Sequence, residues 1–351
     1  VRKHRLLVAL AGLAIALLLI EGLVRLRQWR RYGTTLTTYY RFAEDPASGL
    51  RIPEPGQRTG PIEVDSRGFR GPEIEVPKPA GRVRLAFVGG STTFCAEASS
   101  FATTWPELVL AGLRETWPAA DLDAVNGGGG GFTTRESLRS LEVRIAPLAP
   151  DVIVIYHATN DLVHDTRAAA LEQGLYRREE GAESALGQYW LTWYLVEKNL
   201  RSLAGERRGA AQRMALDTGA LERTFRADLL ALVERARALA PVVALVTFST
   251  KIRADQSPEV RAHNATSARF YMPFLDDQAL LEGYAACNRV IRAVAAETGV
   301  LLVEGEDTIP GDDEHFADTV HLRDPGLRLQ ADRVLEGLRG HRPLRELLGD
   351  G

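Results

Sequence analysis

From residue 83 onward, short apolar runs alternate with helical patterns, and that alternation restricts the fold more than any other feature of the chain. The runs fall at 83–88, 121–126, 151–156, 242–248 and 300–304, and the helical patterns near 104–116, 132–146, 220–240, 277–298 and 326–339. Runs without polar alternation, rich in β-branched residues, suit strands buried on both faces. Strands alternating with helices predict a parallel sheet covered by helices on each side. Open sheets of this kind bind ligands just beyond the carboxyl ends of their strands. The connection from 161 to 220 is long enough to be an inserted helical segment. Its aromatic cluster, Tyr189 to Tyr194, is read as surface helix rather than as a cap on a site.

The N-terminal stretch has a different character. Residues 6–20 carry no charge, and Leu23 and Val24 continue the apolar run past Glu21. As a helix, residues 6–24 would reach about 28 Å, close to the thickness of a bilayer core. Glu21 would then lie near the end of the span, where a charge costs little. No small-residue cleavage site follows; instead come Arg25, Arg27, Trp29, Arg30 and Arg31. The reading is an uncleaved single-pass anchor over 1–31. Arg2, Lys3 and Arg5 nearly balance the arginines behind the span, whose slight excess leans against an exported domain, so charge does not set the orientation. Residues 32–82 are rich in Pro and Gly and are read as an extended arm wrapping onto a domain at 83–345, partly through Val64 to Arg70.

Composition excludes some partners. The net charge is -3 and the arginines are dispersed, which gives nucleic acid no footprint. Cys95 and Cys287, the only cysteines, are read as buried free thiols rather than as a disulfide or a zinc site.

Four groups of reactive residues follow the proposed strands. Ser91 comes after the first, with Gly89 and Gly90 leaving room for a close approach to its amide. Asn126 and the run Gly127 to Gly131 come after the second, and His157-Ala-Thr-Asn-Asp161 after the third. Asp318-Thr-Val-His321 follows the fifth. A serine hydroxyl needs a base to take its proton, and a histidine base needs a carboxylate to fix its tautomer. Asp318 and His321, three apart, can share one side of a turn. Donors for a developing oxyanion are available in the N–H groups of Ser91 and Gly131 and the Asn160 amide. Each is worth about 3 kcal/mol in a transition state. Other motifs fail: Phe132 and Thr133 break a dinucleotide fingerprint, no Walker lysine is present, and Thr93 breaks G-x-S-x-G.

Taken together, Gly-Gly-Ser91-Thr, Asn126 through Gly131, Thr159-Asn160-Asp161 and Asp318-x-x-His321 resemble the blocks of the SGNH (GDSL-type) hydrolase superfamily, in the family's order, over about residues 83–339. The anchor and arm resemble those of membrane-tethered bacterial members. The resemblance implies a five-stranded parallel flavodoxin-like sheet and a serine esterase without cofactor. Ser91 would be the nucleophile, His321 the base and Asp318 its orienting acid, with Ser91, Gly131 and Asn160 forming the oxyanion hole. It also implies an extracytoplasmic domain, periplasmic in a Gram-negative cell. Three positions depart from the family pattern: Gly90 replaces an aspartate, Cys95 stands where glycine is common, and Ala158 replaces a glycine. Ala158 is expected to narrow the cleft. Asp161 is read as bracing the turn that presents Asn160.

The expected reaction is removal of an acyl group, acetyl in the simplest case, from a small-molecule or polysaccharide ester of a carbohydrate or lipid. An O-acyltransferase using the same triad and a catalytically silent tethered module are the alternatives. His157, His164 and Asp165, or His315 with Asp318 and His321, can be drawn as metal ligands but are read as hydrogen-bonding neighbours.

Overall fold

The computed structural model describes residues 2–32, 40–176, 190–197, 199–200 and 213–349. The apolar runs form one parallel sheet of five strands: β1 (Val83–Gly89), β2 (Leu122–Asn126), β3 (Val152–Tyr156), β4 (Val242–Val246) and β5 (Leu301–Val303). Their spatial order is β2-β1-β3-β4-β5. Leu85 of β1 is flanked by Ala124 of β2 on one side and Val152 of β3 on the other. Every residue of β1, β3 and β4 is buried, which is why these strands read as continuous apolar runs. The direction of winding reverses between β1 and β3, so a crevice opens between their carboxyl ends.

The covering helices are α3 (Trp105–Thr116), α4 (Thr134–Ser140), α5 (Thr159–Glu172), α6 (Thr218–Leu239), α9 (Asp277–Thr298) and α10 (Asp324–Gly340). Three short helices complete the set around the site: α2 (Ser91–Phe94), α7 (Pro258–Asn264) and α8 (Thr266–Tyr271). None of the three short helices, nor α5, is visible in the hydrophobic periodicity. The fourth apolar run extends to 248, yet β4 ends at Val246. The Asn288 side chain on α9 accepts from the Phe248 N–H at 2.7 Å and donates to its carbonyl at 3.0 Å. A side-chain amide thus replaces the ladder there.

A line of aromatic rings carries the packing to the crevice. Phe87 meets Trp105 edge-on at 5.1 Å, Trp105 meets Tyr156 at 6.0 Å, and Tyr156 stacks on Phe248 at 4.7 Å. Trp105, fully buried, also donates its indole N–H to the Thr92 carbonyl at 3.1 Å. The residue next to Ser91 is thereby pinned by the core.

The segment before β1 forms two small antiparallel ribbons, Phe42–Glu44 with Arg51–Pro53 and Arg58–Thr59 with Ile62–Glu63. Arg70 then bridges antiparallel to Asn126 at the end of β2, which occupies one edge of the sheet. Tyr40, Ile62, Val64, Phe94 and Ala96 make a second apolar cluster, joining this segment to α2. N-terminal to it lies α1 (Arg2–Tyr32), whose apolar side chains are exposed. It is the one helix among the described residues long and apolar enough to cross a membrane. Of the inserted stretch, 177–189, 198 and 201–212 lie outside the described residues, and so does Tyr189 of its aromatic cluster.

Candidate active site

Ser91 opens α2 directly beyond the carboxyl end of β1. As the first residue of a helix, its N–H has no intrahelical acceptor and remains available to a ligand. Its Oγ lies 2.8 Å from His321 Nε2, a contact spanning 230 residues of sequence. On the other side of the ring, His321 Nδ1 lies 2.8 Å from Asp318 Oδ2. The second carboxylate oxygen of Asp318 accepts the N–H groups of Val320 and His321, both at 2.9 Å. One turn of chain therefore locks acid and imidazole together.

That turn is held from outside by α7 and α8. Thr319 donates its hydroxyl to the Asn264 carbonyl at 2.6 Å and its N–H to Ser267 Oγ at 2.9 Å, while its carbonyl accepts the Lys251 N–H at 2.8 Å. The sequence reading had no element in this place.

Asn160, in the first turn of α5, donates its amide to the Phe132 carbonyl at 2.8 Å. A carboxamide has two N–H donors, so one remains for a substrate. A side chain at position 90 would meet Asn160 Nδ2 at 2.6 Å and the Phe132 carbonyl at 3.2 Å. Gly90 therefore makes room for this amide. Gly131 has a φ of +82° and nothing within 4 Å of where a Cβ would stand. Gly128 is required for another reason, since a Cβ there would strike the Phe94 N at 2.3 Å. Ser91, Gly131, Asn160, Asp318 and His321 all line one cleft of about 730 Å³.

Two departures from the family pattern find physical explanations. Cys95 has a φ of +58°, a left-handed conformation that glycine would occupy without strain. Ala158 is 1% exposed and is not among the residues that line the cleft, so its methyl does not narrow it. Both cysteines are buried and free.

Electrostatics adds a residue that the sequence reading missed. Glu97, six residues past Ser91, lines the same cleft. Burial lowers the affinity of the His321 ring for a proton, but the carboxylates of Glu97 and Asp318 outweigh it and hold its pKa above the ordinary value. Burial works against the Asp318 carboxylate too. There the charge and hydrogen bond of His321 and the two backbone N–H groups win, and the pKa is held low. Glu97 itself is pushed up by burial. Nothing in the spacing marks Glu97; only the turn after α2 brings it to His321. Tyr40 and Phe42 from the N-terminal segment and Tyr194 from the inserted stretch also line the cleft.

The structure brings His157 and Asp161 to a different place. His157 Nε2 lies 2.8 Å from Ser137 Oγ, and its Nδ1 lies 3.6 Å from Asp161 Oδ2, all three residues being buried. Asp161 Oδ1 accepts both the N–H and the hydroxyl of Thr134, at 2.9 and 2.7 Å, which ties the start of α5 to the start of α4. His164 pairs with Asp165 at 3.2 Å and His315 with Asp312 at 2.8 Å. Among the described residues, no group of three or more His, Cys, Asp or Glu side chains is placed to hold a metal ion.

No curated protein matches the chain. Among solved structures, an acetylxylan esterase from Geobacillus stearothermophilus is 18% identical, with a TM-score of 0.45 over 75% of this chain and 96% of that one. An α/β hydrolase enzyme from the metagenome of Lake Arreo, Spain, is 16% identical, with a TM-score of 0.43 over 73% and 94%. The model of the GDSL-like lipase/acylhydrolase family matches residues 87–329, from within β1 into α10. The chain belongs to that family, and it is an enzyme that hydrolyses ester bonds.

Proposed function

We propose that the protein is a membrane-anchored serine esterase that forms an acyl-enzyme on Ser91. The carrying observation is the continuous line from Ser91 Oγ through His321 to Asp318, facing a cleft that also presents the Asn160 amide. His321 Nε2 takes the Ser91 proton as Oγ bonds to the ester carbonyl carbon. Asp318 accepts the Nδ1–H and supports the imidazolium so formed. The carbonyl oxygen, now an oxyanion, receives the N–H groups of Ser91 and Gly131 and the free N–H of Asn160. The imidazolium returns its proton to the leaving alkoxide, and the acyl group stays on Ser91. Water then repeats the cycle, with His321 as base, and releases the acid.

The acyl group is an acetyl in the simplest case, carried by a carbohydrate or a lipid. The apolar helix α1 serves as the anchor, with its exposed side chains in the bilayer and the domain extracytoplasmic. A fluorophosphonate probe is expected to label the full-length protein, and Ser91→Ala is expected to abolish both labelling and turnover of p-nitrophenyl acetate. Labelling that survives in this variant would place the nucleophile elsewhere.

A further inference from the structure

The cleft is tied to the N-terminal helix. Glu21 of α1 accepts the N–H groups of Leu191 and Thr192, at 2.9 and 2.8 Å, and the Thr192 hydroxyl at 2.7 Å. These N–H groups begin the helical segment 191–197, and the first N–H groups of a helix have no acceptor of their own. A carboxylate from α1 therefore does the work of an N-cap for this segment, with charge of the favourable sign. The same segment carries Tyr194 into the cleft wall.

The stretch 190–200 also bears exposed apolar side chains. Trp193, Val196 and Leu200 are 45%, 43% and 61% exposed. Trp193 and Val196, three residues apart, share one face of the segment. Leu171 and Tyr271, which share the cleft wall with Tyr194, are also exposed. Exposed apolar side chains thus stand both on this segment and in the wall of the cleft.

The position of Glu21 along α1 sets the level of this surface. Arg25, which donates to Glu21 at 2.6 Å, lies one turn further on, roughly 6 Å along the axis, with Arg27 and Arg30 beyond it. The capped segment therefore meets α1 at the boundary between its apolar stretch and its basic end. That is the depth at which amphipathic helices lie in a bilayer interface.

We infer that the cleft opens onto the bilayer surface beside the exposed side chains of Trp193, Val196 and Leu200, and that Glu21 holds it there. The substrate is then an ester on an amphiphile whose tail stays in the membrane, with the ester group raised to Ser91. Water and the ester give the free acid and the membrane-held alcohol. This rests on the anchored-esterase reading above and specifies where its substrate comes from.

Full-length protein in vesicles of phosphatidylethanolamine and phosphatidylglycerol tests it. A nitrobenzoxadiazole label is placed at Val196→Cys, Leu200→Cys or, on the far end of α6, Glu234→Cys. Nitroxide-bearing phospholipids are expected to quench the labels at 196 and 200 and to spare the one at 234. Equal quenching at all three sites, in protein that floats with the vesicles, would overturn the inference; failure to float would instead refute the anchor.

Kinetics supplies an independent arm. Glu21→Ala is expected to raise KM for vesicle-borne monoacetylated octadecyl glucoside about fivefold, the size of a lost helix cap, and to leave turnover of soluble p-nitrophenyl acetate unchanged. Glu21→Gln, which keeps an acceptor oxygen, should recover part of the loss. Equal effects on both esters, or none on either, would overturn the inference. A wild-type protein that cleaves neither ester refutes the esterase reading and leaves the quenching result to judge the surface.

Discussion

The molecule contains two serine–histidine–aspartate lines, and they behave in opposite ways. Ser91–His321–Asp318 has both contacts at 2.8 Å and faces a cleft. Ser137–His157–Asp161 has contacts of 2.8 and 3.6 Å and is sealed in the interior. In the first, Asp318 is held well below the ordinary range and His321 well above it, so the pair favours its charged form. In the second, burial pushes Asp161 up to about 7 and His157 down to about 3, so the pair favours its neutral form. The residue types are the same. What separates the two is access, alignment, and whether backbone N–H groups and neighbouring carboxylates support a separated charge.

The sharpest break in this comparison is a pair of substitutions. His321→Gln is expected to lower kcat/KM for p-nitrophenyl acetate by about 10⁴-fold or more, as removal of a triad base does. His157→Gln should lower it less than tenfold and act instead on thermal stability, by about 1–3 kcal/mol for a disturbed buried hydrogen bond. Comparable losses of activity in the two variants would erase the distinction.

Next in size is the proposed oxyanion donor. Asn160→Ala should cost about 10²–10³-fold in kcat, with KM little changed. Gly90→Ala is expected to fall in the same direction, because a methyl there displaces the Asn160 amide, and a crystal structure of the variant would show that shift.

A smaller effect concerns pH. A histidine can take a serine proton only when neutral, and the Glu97 carboxylate raises the pKa of His321. Turnover should therefore rise with pH through the His321 titration, and Glu97→Gln should move that rise to lower pH. A pH–rate profile that stays in place would remove Glu97 from the site's electrostatics.

The smallest change is expected at Asp161. Its folded pKa, about 7, lies above the ordinary carboxylate value. The folded state therefore holds the proton more tightly, and this contribution to stability is complete at low pH and lost as pH rises toward 7. Asp161→Asn keeps an acceptor for Thr134 and should flatten that loss in denaturation measured between pH 4 and 7. Activity should stay within about twofold, because Asp161 does not line the cleft.

Much of the fold was legible because buried parallel strands have to be apolar on both faces, so the five runs stand out from their surroundings. Asp318 and His321 were legible because their pairing is local, closed within one turn. Ser91 was legible only together with them. The blurred places have a common cause. The strand after 242 ends early because Asn288, forty residues away, takes over the hydrogen bonds of Phe248. Short helices such as α7 and α8 bury too little surface to leave a periodic signature, yet they set the turn that holds Asp318.

By itself, then, the sequence determined the parallel α/β class, the apolar N-terminal segment and the residue types available for acyl chemistry. Those depend on which side chains can be buried and on contacts within a few residues. Only the tertiary structure decided which histidine faces a cleft and which is sealed, that Glu97 joins the first, and that Glu21 of the N-terminal helix caps the segment carrying Tyr194. Each of these is a pairing between distant parts of the chain. Its energy depends on burial and separation in space, and neither is written in the order of the residues.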